Sequence, residues 1–249
     1  MKKTQALIAC GLALAVLSAT TLFAAEAGQA TAIVRGVHGT ADYSVGTQMV
    51  PLKPGQELVA GTQIRTGPDS YVLLNINGLV SSVRISSDTT VTLTRMDRPA
   101  EGDTETMLDL QTGTVAGTVN KLSANSRYEI QTPNGVAGIR GTDFRVTAIP
   151  RGDGTFVVTF TSISGVLVCS AVINTTTVVR VLNTGQSWTP GQGDVITTPP
   201  ALATEYGQEI SQLSQIQTGA PIIPPPPIAQ PFGLNGPPQT GEGSLQTGP

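Results

Sequence analysis

From about Ala30 to about Thr198 the chain alternates short β-branched runs with turn residues. The runs include Ala32-Ile33-Val34, Tyr71 to Ile76, Val80 to Ile85, Thr90 to Leu93, Met107 to Leu110, Thr114 to Val119, Tyr128 to Ile130, Phe156 to Phe160, Gly165 to Val168 and Thr177 to Val181. Apolar and polar residues alternate in most of them, the period of a strand with one buried face. Pro54-Gly55, Gly67-Pro68-Asp69, Asn77-Gly78, Asn134-Gly135, Asp153-Gly154 and Pro190-Gly191 separate the runs. Asn77-Gly78 stands directly between two runs, and both residues tolerate φ > 0, which predicts a tight hairpin. The expected fold is therefore all-β: a compact β-sandwich or short β-solenoid-like domain of many short strands. No fixed repeat period recurs, so a long regular solenoid is not expected.

The period changes after Pro199. Leu202, Tyr206, Ile210 and Leu213 fall on one stripe of a helix spanning 199–218. Pro200 suits its first turn and Thr218-Gly219 its end. The helix is expected to pack on the β-body. Residues 219–249 contain Pro224 to Pro227 and many Gly, Gln, Ser and Thr. That composition predicts a disordered Pro/Gly-rich tail, the proline run stiffened as polyproline II.

At the other end, Lys2 and Lys3 precede an apolar core from Ala6 to Leu17 and then small residues. This is the layout of a secretory signal peptide over 1–27, with Leu22-Phe23-Ala24 or Ala25-Glu26-Ala27 before the cut. The expected divisions are 1–27, 30–198, 199–218 and 219–249. The expected location is the periplasm or the exterior of a bacterial cell, with no stable membrane span after cleavage.

Charge and composition narrow the function. Lys and Arg number 14 against 17 Asp and Glu, and only 12% of residues are charged. Loss of Lys2 and Lys3 makes the balance more acidic still, which argues against nucleic acid or anionic lipid as partner. Once Cys10 leaves with the signal, Cys169 remains, too few for an internal disulfide, and its apolar surroundings predict a buried small hydrophobe. His38 is the one histidine, and no Gly-x-Ser-x-Gly accompanies it, so a serine or cysteine triad has no support. Zinc lacks ligands. No phosphate-binding glycine motif stands between a strand and a helix. Asp97, Glu101, Asp103, Glu105 and Asp109 read as a solvated cluster, although paired carboxylates of a hydrolase would be invisible in sequence. Arg151-Gly152-Asp153 reads as a turn, and Trp188 as the cap of a core. No catalytic, cofactor or metal residues are assigned, and no enzymatic activity is expected.

One stretch is more specific than the rest: Thr132-Pro133-Asn134-Gly135-Val136-Ala137-Gly138-Ile139-Arg140-Gly141-Thr142-Asp143-Phe144-Arg145-Val146. Thr132-Pro133 holds the backbone extended, Asn134-Gly135 is expected to turn it, and Gly138 and Gly141 permit close approach or positive φ. Val136, Ile139, Phe144 and Val146 are apolar anchors. Arg140 reads as either a buried, paired cation bracing a strand junction or an exposed contact, the brace being favoured; a brace requires that Arg140→Ala lower the unfolding midpoint. With the four residues before it, from Tyr128 to Val146, this segment resembles the signature of the FecR domain. Gly55 to Ser70 resembles that family's earlier segment, in which "G-x-x-I/L-x-T-G-x-x-S" precedes a strand, and Leu108 to Val115 its "L-x-x-G-x-V" strand pair. Asn77-Gly78-Leu79 stands where the family usually has Asp-Gly-Ser. The resemblance runs from about Gln48 to Gly193. It implies that Thr132, Pro133, Gly135, Arg140, Gly141, Thr142 and Phe144 are structural family residues. It also implies an interaction role in the bacterial envelope, of a kind that includes signal sensing, with a protein or cell-wall component as partner. The family's familiar members carry a cytoplasmic anti-sigma segment and a transmembrane helix before this domain; here a signal peptide stands in that place, so a stand-alone exported binding module is expected. A structural cell-surface protein is the alternative, and a carboxylate-dependent hydrolase a more remote one. Partner identity and oligomeric state are unassigned.

Overall fold

The computed structural model describes residues 28–76, 80–98 and 103–218. The signal segment, the Asn77-Gly78 turn, residues 99–102 of the acidic loop and the Pro-rich tail lie outside them. Eighteen strands and one helix are described. The first nine strands are β1 (Gly28–Gln29), β2 (Ala32–His38), β3 (Ala41–Val45), β4 (Gln48–Pro51), β5 (Glu57–Leu58), β6 (Gln63–Thr66), β7 (Tyr71–Ile76), β8 (Ser81–Ile85) and β9 (Thr90–Arg98). The rest are β10 (Glu105–Val119), β11 (Arg127–Thr132), β12 (Gly135–Ile139), β13 (Asp143–Pro150), β14 (Phe156–Ser164), β15 (Leu167–Ile173), β16 (Thr176–Leu182), β17 (Gln186–Trp188) and β18 (Ile196–Thr197), followed by α1 (Pro200–Thr218).

Pairing joins the strands into one closed sheet, a flattened barrel with two facing leaves. The first leaf runs β4-β3-β6-β9-β10-β11-β12-β15-β16. The second runs β5-β2-β7-β8-β10-β13-β14-β17-β18. Strand β10 belongs to both: Glu105 to Thr112 lie in the first leaf and Gly113 to Val119 in the second. The expected strand pair Met107–Leu110 and Thr114–Val119 is thus one bent strand. The bend is at Gly113, whose φ is 96°, a value L side chains rarely adopt. A Cβ there would meet Thr89 Oγ1 at 2.2 Å and its Cα at 2.5 Å.

The chain keeps changing leaf, and the corners stack. Gly39-Thr40, Gly67 to Ser70, Ser86 to Thr89 and Gly113 form a column tied by Gly67 N–H to Thr40 O (2.9 Å), Asp88 N–H to Gly67 O (3.2 Å) and Ser86 N–H to Thr114 O (3.0 Å). Positive φ at Gly39, Asp69, Asp88 and Gly113 turns the backbone at each level. The sequence of residues 61–70 is explained by this column. Ile64 is in the core, Thr66 Oγ1 accepts from Thr89 N–H at 3.0 Å, a Cβ on Gly67 would strike Thr40 Oγ1 at 2.3 Å, and Ser70 Oγ accepts from Thr40 N–H at 2.9 Å. After the parallel β10–β11 pairing, later corners at Arg140-Gly141-Thr142, Gly165-Val166 and Asn183-Thr184-Gly185 stack on the opposite edge. Thr142 Oγ1 donates to Val166 O at 2.8 Å, and Gly165 N–H donates to Thr184 Oγ1 at 3.0 Å.

The inward faces of both leaves meet in one core containing Ile64, Val91, Leu108, Ile130, Ile139 and Leu167 from the first and Val72, Val83, Val115, Phe144, Val146, Phe160 and Trp188 from the second. Gly117 leaves room for Phe144, whose Cζ lies 2.6 Å from where a Cβ would be. Tyr128 crosses the core toward Phe144, ring centroids 6.3 Å apart. Burial holds its phenol well above the usual range, Ser81 only partly offsetting it. Cys169 is buried and free, its thiol likewise raised by desolvation. Trp188 closes one end of the core, donating Nε1–H to Gly193 O at 3.3 Å.

Candidate functional site

The second leaf's outer face carries a half-buried cluster of charge, Arg84, Arg145 and Glu209. On β10, Ala116 pairs with Arg84 of β8 on one side and Arg145 of β13 on the other. Strand alternation points both arginines outward. Helix α1 lies over them. Ile210 and Leu213 pack on Leu73, with Tyr71 and Ile163 beside them. Of the expected helical stripe, Ile210 and Leu213 are buried, but Leu202 is 40% exposed.

The polar partner on the helix is Glu209. Its Oε1 lies 3.2 Å from Arg84 Nε and accepts from Ser86 Oγ at 3.1 Å, while its Oε2 accepts from Arg145 Nη1. Gln212 Oε1 accepts from Arg84 Nη1 at 2.7 Å. The Arg84 guanidinium sits 3.8 Å from the Tyr71 ring centre and that of Arg145 4.6 Å from Tyr206, within cation–π range. Burial pulls Arg84 below its ordinary pKa, against the pull of Glu209. Burial likewise raises Tyr206. The Nε atoms of Arg84 and Arg145 are buried without a hydrogen-bond acceptor; the Glu209 oxygen near Arg84 Nε is close but misaligned with its N–H. Beside this cluster opens a cleft of about 460 Å³ lined by His38, Asp69, Ser70, Ser87, Glu205 and Gln208 as well. His38 is exposed and stacks on Tyr71 at 5.0 Å. Glu209 has both oxygens engaged by donors, Oε1 by Ser86 and Arg84 and Oε2 by Arg145.

A different surface lies on the first leaf. Val168, Val172, Val179 and Val181, on β15 and β16, are 45%, 61%, 55% and 53% exposed. Val168 pairs directly with Val181. Among the described residues β16 pairs with β15 alone. Its one charge, Arg180, leans toward Trp188 and Asp194, so the valines are unguarded by lysine or proline.

The residues singled out from sequence fall at two places, Thr132, Pro133 and Gly135 at the β11–β12 hairpin and Arg140, Gly141, Thr142 and Phe144 at the corner where β12 passes to β13. Thr132 Oγ1 donates to Gly135 O at 2.7 Å across the β11–β12 hairpin. Its loop is Pro133-Asn134, one residue earlier than expected, and Gly135 opens β12. A Cβ on Gly135 would approach Ser170 O to 2.6 Å. Gly141 has φ 69°, Thr142 is buried, and Phe144 is in the core. Arg140 is exposed, and its Nη2 donates a long 3.4 Å bond to Ser123 O. It is therefore not the buried, paired cation: the corner's outward turn leaves it in solvent. Among the described residues, Arg84 and Arg145 are half-buried, paired cations, which period-two alternation could have placed on an outer face. Glu209 was legible only as a polar residue next to the apolar stripe. Arg151-Gly152-Asp153 is an exposed turn in which Asp153 accepts from Thr155 N–H at 2.9 Å. Among the described residues no cluster of three or more metal-ligating side chains occurs, and no helix is long and apolar enough to cross a membrane.

Residues 62–162 match the family model of the FecR protein, a narrower span than the Gln48–Gly193 resemblance. Two crystal structures of a candidate anti-sigma factor from Parabacteroides distasonis, at 2.50 and 1.65 Å, are similar at 11% identity, with TM-scores of 0.46 and 0.45. Each alignment covers 59% of this chain and 64% of the other, so the chain spans less than two thirds of those proteins' length. No curated protein matches.

Proposed function

The chain carries a FecR domain over residues 62–162, and from that premise we propose that it is an exported, non-enzymatic interaction module of the bacterial envelope with a sensing role. The observation that supports this reading most directly is the valine surface of β15 and β16. Four exposed valines on the last two strands of a leaf, one of them an open edge, form a patch of the kind that marks a protein contact. A partner strand adding to β16 gains backbone hydrogen bonds and covers the valines at once. The N-terminal segment, with its two lysines, apolar core and small residues, supports export.

The test uses the full chain expressed in its bacterium and cross-linked in the envelope. A defined protein should be retained by the wild-type chain and lost with Val179→Lys or Val181→Lys, which leave the buried face of β16 untouched. Retention unchanged by both variants refutes the surface. Export is tested separately: the protein in the envelope fraction should begin after residue 24 or 27, and an intact Met1 in the cytoplasm alone refutes it.

A further inference from the structure

The outer face of the second leaf lies on the other side of the barrel from the valines and carries its own inference. Two arginines share one carboxylate. Their guanidiniums flank Ala116 across two inter-strand steps, about 10 Å apart at the backbone. Glu209 bridges them, yet both Nε–H groups stay buried without acceptors. An arginine's fork is best matched by a carboxylate of its own, taken in a bidentate pair. Glu209 therefore satisfies the site in part, and a segment bringing two carboxylates satisfies it better.

The helix holding Glu209 is weakly anchored. Its apolar contact is Ile210 and Leu213 on Leu73. Residues 200–205 are exposed, Gly207 stands in its middle, and it has no acidic residue in its first turn and no basic residue in its last. Glycine and unmatched ends both weaken a helix. Burying Glu209 with Arg84 and Arg145 adds little net stability, because the charges lose their water. Without α1, which also removes Glu205 and Glu209, the face shows Arg84 and Arg145 beside Tyr71, Leu73 and Ile163, with Asp69 as the acid left among the cleft residues. This is a basic and apolar strip on a chain of net charge −3.

We propose that this strip is a docking site for an acidic amphipathic segment of a partner protein, one presenting two carboxylates beside apolar residues, and that α1 is its displaceable internal stand-in. The partner's carboxylates take Arg84 and Arg145 separately and its apolar residues replace Ile210 and Leu213. Binding and release of α1 are then one exchange, which gives the module a bound and an unbound form.

The probe is a fluorescent peptide of residues 200–218 with Gln212→Glu, titrated by anisotropy into the full chain. Wild-type chain should bind it poorly, because α1 occupies the site. Glu209→Gln and, separately, Leu213→Ser loosen α1 and should each raise affinity about tenfold or more. Cleavage after Glu205 by a glutamate-specific protease reports that the helix is loose, and circular dichroism that the sheets remain. Adding Arg84→Gln to Leu213→Ser should abolish the gain. If the loosened chains bind the peptide within about twofold of wild type, or if Arg84→Gln leaves the gain intact, the proposal is overturned. The valine variants should bind the peptide as wild type does, which separates this site from the proposed function.

Discussion

Replacing Gly113 by alanine is the most searching single test of the stacked-corner architecture. Two effects add. A non-glycine residue at φ 96° carries strain of about 1–2 kcal/mol. The new methyl would also sit 2.5 Å from Thr89 Cα and 2.2 Å from its Oγ1, and because one of these is backbone, a rotamer change cannot relieve it. Moving Thr89 disturbs its N–H to Thr66 Oγ1 (3.0 Å) and the Thr114 N–H to its own Oγ1 (2.9 Å). Each buried bond contributes about 1 kcal/mol. The sum is about 3–4 kcal/mol, a large part of a typical domain's stability of about 5–15 kcal/mol. Gly55→Ala is the internal control. Its φ is 85°, but a Cβ there meets nothing within 4 Å, so it isolates the strain at about 1–2 kcal/mol. Both variants are unfolded in urea alongside wild type, and midpoints are compared at common slope. A Gly113→Ala loss no larger than that of Gly55→Ala would refute the claim that close packing, beyond backbone conformation, fixes the bend in β10.

Three further outcomes are expected. Thr175 closes the β15–β16 hairpin at φ 67° beside Asn174 at 47°, so Thr175→Gly should stabilise the fold by about 1 kcal/mol in the same urea assay. Arg140→Ala should shift stability by less than about 0.5 kcal/mol, as a solvent-exposed site does, while Thr142→Val, which removes the bond to Val166 O, should cost about 1–2 kcal/mol; the reverse order would restore Arg140 as the brace. Tyr128 is buried as the neutral phenol, its folded-state pKa raised above the unfolded value; its contribution is therefore fully present below the unfolded value of about 10 and fades as pH rises past it, so thermal midpoints from pH 8 to 11 should fall less for Tyr128→Phe than for wild type.

Much of the fold was legible in the sequence because each strand is a local object. Period-two alternation and turn residues are set within a few positions, and they located most strands, the helix and the corner at Arg140-Gly141-Thr142. The glycines of the motif segments were readable as turn and close-approach residues for the same reason. The bend of β10 was not, because a glycine between two apolar runs suits a hairpin and a change of leaf equally well; the column containing Thr89 decides between them. Arg140 was misjudged because nothing local distinguishes the inside of a corner from its outside.

The candidate sites belong to the other category. The amino-acid order determined that the chain is all-β with one following helix and that it carries FecR-type segments. Tertiary structure alone decided that Arg84 and Arg145, sixty-one positions apart by number, flank Ala116, and that Glu209 reaches both. Long-range sheet register sets those distances, and register depends on how every intervening strand pairs. The same holds for the valines of β15 and β16: alternation marks them as one face, but their exposure follows from standing at the end of a leaf where, among the described residues, no further strand or helix covers them.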